Sequence, residues 1–173
     1  MDYPDLLRAE LVAEILLPSG SAVKVPKTTP VFAKWRGERI KDTYGGKAIL
    51  DFDGEPVFAE LAILRAFRKS GWDGVWVDTF RRKYRVGYWA DNSEIDLPPR
   101  QEALLKSIYE GVGTSKGCWD VFCWKDDLVL FAEAKRRGRD RIRGSQRQWL
   151  QAAIELGLPL TSFLVVEWSI REE

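Results

Sequence analysis

The sequence predicts an α/β protein in which helices flank a mixed β-sheet, and three observations support this prediction. The chain has 173 residues, of which 45% are hydrophobic and 31% charged, values typical of a single folded domain with a substantial core. Short β-like runs alternate with helical segments along most of its length. The final third shows this alternation most regularly, as two strands, a loop, a helix and a last strand, an order expected of a mixed α/β sheet.

The first half of the chain predicts a β-rich region between two helices. Residues 1–17 carry leucine and isoleucine at helical spacing and predict a short amphipathic helix. Residues 19–52 change to short runs of β-forming residues punctuated by Pro and Gly, which predict strands. The stretch that begins at Asp53 predicts a helix over residues 56–70, which Gly71 ends.

The second half of the chain predicts four strands and two helices. The strands occupy residues 74–85, 118–124, 128–135 and 161–168. The helices occupy residues 100–111 and 145–156. A two-residue turn at Asp126 and Asp127 joins the second strand to the third, so these two strands should form a hairpin.

The composition excludes several kinds of chemistry. The chain contains no histidine, which excludes Ser-His-Asp and Cys-His nucleophiles and argues against a zinc site. Its two cysteines, Cys118 and Cys123, have the odd spacing of opposite strand faces, and we expect both to be buried free thiols. Hydrolysis by this chain would therefore need carboxylates, lysines and a hard, oxygen-bound metal.

Charge and hydropathy bear on location and partners. The net charge is only +1, so any attraction for nucleic acid must come from local clusters of basic residues. The N-terminal residues include several acids and do not resemble a signal peptide. No run reaches the roughly 18 apolar residues of a membrane span. We therefore expect a cytoplasmic protein with no membrane partner.

The predicted hairpin brings three charged side chains together. Counting outward from its turn places Asp120 opposite Glu133, and Lys135 projects from the same face. Two adjacent carboxylates repel each other unless a divalent cation such as Mg²⁺ binds there, and a nearby lysine can orient water or stabilise charge on a phosphate. An exposed charged face is the alternative, but Phe122 and Phe131 make this face largely apolar, where unpaired charge is costly.

A third carboxylate lies in the predicted helix over residues 56–70. Glu60 falls within the apolar stripe of this helix and should point toward the sheet. The alternative is a flanking position, in which Glu60 pairs with an arginine or a lysine.

The charged residues of the final third stand in an array that resembles a known nuclease superfamily. The array comprises Gly117-x-x-Asp120, Glu133-x-Lys135, a loop with Asp140, and Gln146-x-x-Trp149. It is similar to the PD-(D/E)xK nuclease superfamily, and most closely to its VRR-NUC branch, whose members include structure-selective DNA nucleases. The match covers about residues 117–168, with a weaker extension back to the helix that carries Glu60.

The resemblance implies a restriction-endonuclease-like αβββαβ core, a DNA substrate, and Mg²⁺ or Mn²⁺ as cofactor. It implies that Asp120, Glu133 and Glu60 bind the metal. Lys135 would assist the attacking water, and Gln146 would support the site from the following helix.

Parts of the chain depart from the family pattern. Trp119 stands where the family usually has Pro before its Asp. Residues 1–54 form an N-terminal extension, and about 81–112 form an insertion into a nuclease core over 55–173. We expect residues 1–173 to form a single domain. Because members of the superfamily commonly pair to cut two strands, we also expect a homodimer.

A basic loop follows the Glu133-x-Lys135 pair. The arginines of this loop are Arg136, Arg137, Arg139, Arg141 and Arg143, and Arg147 follows in the predicted helix. A solvated loop without a ligand is the alternative, but arginine suits bidentate contacts with phosphate, and such contacts position DNA without reading its sequence. We therefore predict a phosphate clamp.

Two weaker candidates for nucleic-acid contact lie elsewhere in the chain. Arg81, Arg82 and Lys83, with Arg85, form a second basic cluster that could serve structure or DNA binding equally. Trp35 and Trp89 stand in polar, loop-like contexts and could stack on unpaired bases.

The sequence therefore predicts a metal-dependent DNA nuclease that selects its substrate by structure. The enzymatic alternative is a sequence-specific restriction endonuclease. Two further alternatives are a DNA-binding module that kept the fold but does no chemistry, and an interaction protein whose basic loop binds an acidic partner. The presence of Asp120, Glu133 and Lys135 together argues against the DNA-binding module.

Overall fold

A large mixed β-sheet with helices on both faces forms the fold in the computed structural model, which describes residues 1–38, 40, 46–88 and 93–171. Ten strands of these residues join the sheet. They are β1 Leu11–Leu16, β2 Ala22–Thr28, β3 Val31–Lys34, β4 Leu50–Phe52, β5 Glu55–Val57, β6 Asp73–Asp78, β7 Lys83–Arg85, β8 Val121–Lys125, β9 Leu128–Arg136 and β10 Phe163–Ile170. The three α-helices of the described residues are α1 Ala59–Lys69, α2 Pro99–Val112 and α3 Gly144–Glu155. The predicted α/β class is confirmed.

The strands follow the order β5-β4-β3-β10-β9-β8-β6-β7, and β2, which pairs with β1, also pairs with β10. β10 runs parallel to β9, β2 and β3, whereas the other neighbours pair antiparallel. One edge of β10 is therefore covered by β9 and the other by strands from the first 34 residues. The predicted N-terminal extension is thus part of the same sheet.

Each face of the sheet carries its own apolar core. Leu61 and Phe67 of α1 are buried in the core on one face. None of the described helices is long and apolar enough to cross a membrane. On the other face, beneath α2 and α3, the rings of Phe122 and Phe131 stack with their centroids 4.3 Å apart. The Trp149 ring of α3 meets Phe131 edge-on at 4.6 Å, and each such aromatic contact adds about 0.5–1.5 kcal/mol beyond burial. These rings pack α3 firmly against the β8–β9 hairpin.

The prediction for the two cysteines is confirmed. Cys118 and Cys123 are free and buried, and they belong to the cores on opposite faces of the sheet. No disulfide between these two thiols is therefore available to stabilise the fold.

Most of the predicted strands and helices are confirmed, with small shifts at their ends. The helix predicted over 56–70 begins at Ala59, because residues 55–57 form β5 instead. β5 lies at an edge of the sheet, where Pro56 costs no ladder hydrogen bond with a further strand. Gly71 follows the helix with a φ of 80°, a conformation that favours glycine.

The amphipathic helix predicted over residues 1–17 is wrong. Asp5–Leu7 form a single 3₁₀ turn, and Leu11–Leu16 form β1, which pairs antiparallel with β2. A spacing of four residues suits one face of a strand as well as one face of a helix, so Leu11 and Ile15 do not distinguish the two structures. Pairing with β2 supplies the backbone hydrogen bonds and favours the strand.

The single strand predicted over residues 74–85 is also wrong, because the chain turns back on itself. β6 ends at Asp78, and residues 79–82 form a turn that leads into β7. The Asp78 carboxylate accepts a hydrogen bond of 3.2 Å from the Arg81 backbone N–H, and Arg82 has a φ of 54°. Asp commonly organises tight turns in this way.

Candidate active site

The β8–β9 hairpin brings the two predicted carboxylates together. Its two-residue turn is present as predicted, and β8 pairs with β9 as far as Val121 and Ala132. One position beyond that pair, Asp120 and Glu133 are neighbours. The Ala134 backbone N–H donates a 2.9 Å hydrogen bond to Asp120 Oδ2, which holds this carboxylate against β9.

Lys135 lies beside Glu133, with 2.6 Å between Lys135 Nζ and Glu133 Oε1. Glu133 is fully buried and Lys135 is only 8% exposed, so each charge needs a partner to offset its loss of water. The second carboxylate oxygen, Glu133 Oε2, is buried and has no hydrogen-bond partner among the described residues. A buried carboxylate oxygen without a donor is unusual and costly, and it is the atom best placed to accept a cation.

Gln146 joins the start of α3 to both of these residues. Its Nε2 donates to Glu133 Oε1, and its Oε1 accepts from Lys135 Nζ at 3.2 Å. The same Oε1 accepts from the Arg143 backbone N–H at 2.8 Å, which caps the first turn of α3. Gln146 therefore supports the charged pair from the following helix, the place that the resemblance implies for it.

Burial and crowding of the carboxylates raise their pKa values. Loss of water and the nearby Glu60 carboxylate raise the pKa of Asp120 from 3.8 to about 6, although Lys135, the Ala134 N–H and Lys47 oppose the rise. Burial and the Asp120 carboxylate raise the pKa of Glu133 well above its usual value, against the effect of Lys135. Each carboxylate thus holds its proton more tightly than it would in water, as expected where like charges are placed together.

Glu60 occupies the first turn of α1 and lines the same cleft as Asp120 and Glu133. It also forms an ion pair with Lys47, and its side chain is 13% exposed. Both interpretations of Glu60 from the sequence therefore apply, because it points toward the site and pairs with a lysine. Its role as a metal ligand stays a prediction.

The donors of the site fit a hard divalent cation. Mg²⁺ takes one or two carboxylates and completes its coordination with water and phosphate oxygens, and Glu133 Oε2 with the adjacent Asp120 carboxylate matches that requirement. Within the part of the chain that the structure describes, no group of three or more Cys, Asp or Glu side chains is arranged to hold a metal ion. A cation bound here would therefore depend on water or substrate for its remaining ligands.

A cleft of about 980 Å³ opens in front of the carboxylates. Its walls include the three site residues and Gln146, and three arginines of the predicted clamp, namely Arg139, Arg141 and Arg143. The Asp140 carboxylate accepts a 3.1 Å hydrogen bond from the Arg136 backbone N–H and so shapes this loop at the end of β9. The cleft thus combines buried carboxylates with exposed arginines.

The remaining arginines of the predicted clamp lie outside this cleft. The Arg136 guanidinium stacks over the Trp168 ring at 5.5 Å, and Arg137 Nε lies 3.6 Å from Glu167 Oε2. Arg136 and Arg137 line a separate depression beside β10, together with Arg139, and Arg147 lies on α3. The clamp is therefore divided between two surfaces.

Gly117 allows the segment that precedes Asp120 to lie close against the start of α3. Its φ is 94°, and a Cβ at this position would lie 2.2 Å from the Ser145 carbonyl oxygen. Only glycine fits such a close approach without movement of the helix. Trp119, which replaces the family's Pro, is fully buried with its ring 5.4 Å from Phe163, so it anchors the same segment by packing.

Sequence reasoning missed several residues of the cleft, among them Lys47 and Phe80. Lys47 comes from the region before β4 and has no local pattern to mark it, because only its contact with Glu60 brings it to the site. Phe80 stands directly before the basic cluster at 81–83, and an aromatic residue among basic ones was the available signal. Arg82, from that cluster, also lines the cleft.

Of the two tryptophans proposed for base stacking, Trp35 does not line this cleft. Trp35 is partly buried, and its Nε1 donates a 2.8 Å hydrogen bond to the Glu38 carbonyl. Trp89 lies outside the described residues.

No protein-family model matches the chain, and a search of curated proteins finds no match either.

Proposed function

We propose that this chain is a metal-dependent nuclease of the PD-(D/E)xK superfamily that hydrolyses phosphodiester bonds in DNA and selects its substrate by structure. The observation that carries the proposal is the buried cluster of Asp120, Glu133 and Lys135 in a cleft lined by arginines. A merely solvated strand face would leave these charges in water, whereas here burial raises the pKa of both carboxylates. A bound cation would remove that cost.

The order of the elements supports the proposal. Along the chain α1, β6, β8, β9, α3 and β10 follow one another, with β7 and α2 between β6 and β8. Apart from β7 and α2, this is the αβββαβ order of a restriction-endonuclease-like core. The two extra elements lie at the place of the insertion expected at about 81–112.

The two carboxylates and the lysine of the cluster have different roles in the proposed reaction. Asp120 and Glu133 would hold Mg²⁺ or Mn²⁺, which when bound acts as a Lewis acid toward the phosphodiester. Lys135 Nζ, held between Glu133 and Gln146, would orient the attacking water or donate a hydrogen bond to a phosphoryl oxygen. Gln146 would keep this lysine in place.

The exposed arginines of the cleft would hold the DNA backbone. Arg139, Arg141 and Arg143 line the same cleft as the carboxylates, so a DNA backbone bound by them would pass through the proposed site of hydrolysis. Such contacts read no base, which favours selection by DNA structure over selection by sequence.

The test is cleavage of a labelled DNA panel of duplex, single strand, flap and four-way junction, with Mg²⁺, Mn²⁺ or EDTA. We expect metal-dependent cutting that falls on the order of 100-fold or more in Glu133→Gln, because this change removes the charged ligand but keeps the side-chain shape. Glu14→Gln serves as the matched control, since Glu14 is an exposed glutamate on β1 outside the cleft.

Three results would count against the proposal. Equal cutting by Glu133→Gln and wild-type protein would refute the site assignment. Salt-sensitive DNA binding without cutting in either metal would indicate a DNA-binding module. Fixed cutting positions on random-sequence duplex would indicate a restriction endonuclease.

We extend the proposal to assembly and location. A homodimer would place two sites on two strands, and a cytoplasmic location agrees with a chromosomal or phage DNA substrate. Sedimentation velocity of the purified protein, with and without DNA, would show whether the dimer forms.

A further inference from the structure

Phe80 is a large apolar side chain that the fold leaves in water at the mouth of the candidate site. It lies in the turn between β6 and β7 and is 91% exposed, the most exposed of the large hydrophobic residues in the described part of the chain. It lines the same cleft as Asp120 and Glu133. Other exposed apolar residues, such as Leu11 and Leu128, lie outside this cleft.

The turn that presents Phe80 is fixed by a buried ion pair. The Asp78 carboxylate, 5% exposed, accepts from Arg85 Nε at 3.1 Å. It also accepts from the backbone N–H and the guanidinium of Arg81, at 3.2 and 3.3 Å. These hydrogen bonds join residues on both sides of the turn, so the fold determines the backbone position of Phe80.

The strand before this turn, β6, is hydrogen-bonded to the proposed active site. The Val77 backbone N–H donates a 2.7 Å hydrogen bond to the Asp120 carbonyl oxygen. Phe80 follows Val77 by three residues, so its turn adjoins the strand that is hydrogen-bonded to the Asp120 backbone. A ligand that contacts the Phe80 ring would therefore have a defined position relative to the reacting phosphate.

The surroundings of the ring indicate what it contacts. Arg82, Arg139 and Arg141 line the cleft with it, and the Arg81 guanidinium lies 5.8 Å from the ring centroid. Aromatic rings among phosphate-binding cations form the surface on which single-stranded nucleic acid binds, because each base can stack on a ring while its phosphate meets a cation. In an intact duplex the base faces are covered by neighbouring pairs, so the ring needs an unpaired base.

We infer that Phe80 stacks on an unpaired base next to the scissile phosphate, so that the preferred substrate is DNA in which a duplex adjoins a single strand. This inference rests on the proposed nuclease function and specifies its substrate class. Phe80 would thereby determine specificity, while Asp120 and Glu133 determine cleavage.

The first experiment measures binding without cleavage. Flap DNA carries 2-aminopurine at the first or second unpaired position beside the junction, and the protein is studied in EDTA. We expect fluorescence quenching with wild-type protein, its loss with Phe80→Ala, and its recovery with Phe80→Trp. We also expect the ratio of flap affinity to duplex affinity to fall about 5- to 150-fold in Phe80→Ala, the range of one base–aromatic stack.

Two control variants separate the effect of ring stacking from the effect of losing an exposed apolar side chain. Leu128→Ala removes another exposed apolar side chain at a hairpin, at the far end of β9 from Glu133, and should leave the affinity ratio unchanged. Phe80→Leu keeps an apolar side chain without a ring and should behave as Phe80→Ala does. Unchanged quenching and an unchanged ratio in Phe80→Ala, or full function in Phe80→Leu, would overturn the inference.

Cleavage of the same DNA panel distinguishes this inference from the proposed function. If the wild-type protein quenches the probe through Phe80 but cuts no substrate, the nuclease proposal fails and the stacking contact stands. If it cuts with metal but Phe80→Ala keeps the preference for flaps over duplex, the nuclease proposal stands and the inference fails. Absence of DNA binding altogether would refute both.

Discussion

Replacement of Asp120 by asparagine should stabilise the metal-free protein at neutral pH. Burial and Glu60 raise the pKa of this carboxyl from 3.8 to about 6, even though Lys135 and Lys47 attract its charged form. The net effect of the charge on folding is therefore unfavourable. Asparagine removes the charge and keeps an oxygen that can accept the Ala134 N–H bond now made by Oδ2.

The magnitude and pH dependence of this effect follow from the rise in pKa. A rise from 3.8 to about 6 corresponds to roughly 3 kcal/mol at pH values above both. Because the folded chain holds the proton on Asp120 more tightly than the unfolded chain does, the contribution of Asp120 to the free energy of unfolding falls as pH rises from about 4 to about 6 and is constant above that. Asp120→Asn should therefore gain about 3 kcal/mol over wild type at pH 8, but only about 1 kcal/mol at pH 4.5.

Thermal and urea unfolding in EDTA at the two pH values would measure this difference. For a chain of this length, about 3 kcal/mol corresponds to a rise in Tm of roughly 6–12 °C. A variant that is less stable than wild type at pH 8 would refute the reasoning, because the attraction of the two lysines would then outweigh burial. An equal gain at both pH values would show that the effect does not come from the proton on Asp120.

Two further predictions concern Gly117 and the arginines of the cleft. Gly117→Ala should lower the free energy of unfolding by at least about 2 kcal/mol, since it combines a φ of 94° with a Cβ 2.2 Å from the Ser145 carbonyl oxygen. The double variant Arg139→Ala/Arg141→Ala should reduce the slope of log binding constant against log salt concentration by about 1.4–1.8, or about 0.7–0.9 for each lost phosphate contact.

Each of these predictions has a matched control in the chain. Gly113 also has a positive φ, 73°, but a Cβ at this position would have no described atom within 4 Å apart from its chain neighbours, so Gly113→Ala should lower the free energy of unfolding by only about 1 kcal/mol. Similar losses in the two glycine variants, measured by urea unfolding, would contradict the close approach to Ser145. Arg100 pairs with Asp127 at the far turn of the hairpin, and Arg100→Ala should leave the salt slope of DNA binding unchanged. A slope that is equal in the double variant and wild type would exclude the two cleft arginines from phosphate binding.

Sequence patterns predicted correctly those parts of the structure that depend on residues close together in the chain. The two aspartates predicted a two-residue turn, and counting from that turn placed Asp120 beside Glu133, as the structure has them. The prediction succeeded because strand pairing continues in register from a turn of known length. The helix that carries Gln146 was likewise predictable from its own periodicity and the glycine after it.

The same patterns did not predict features that depend on contacts between residues far apart in the chain. The strand β1 exists because β2 pairs with it, and residues 1–17 alone carry a pattern compatible with a helix. Lys47 reaches the site only through its pairing with Glu60, and Phe80 only because the chain reverses after Asp78. In each case the deciding energy comes from a partner that the local sequence does not contain.

The strands that pair with β10 on the side away from β9 determine how far the chain can be shortened. β2 and β3 supply hydrogen bonds to residues 165–166 and 169–170 of that strand. A fragment that starts at residue 55 would keep every residue proposed for catalysis, yet it would expose the bare backbone edge of a long, apolar central strand, a ready template for aggregation. The N-terminal strands thus cover this edge of β10, and the smallest soluble fragment is expected to include them.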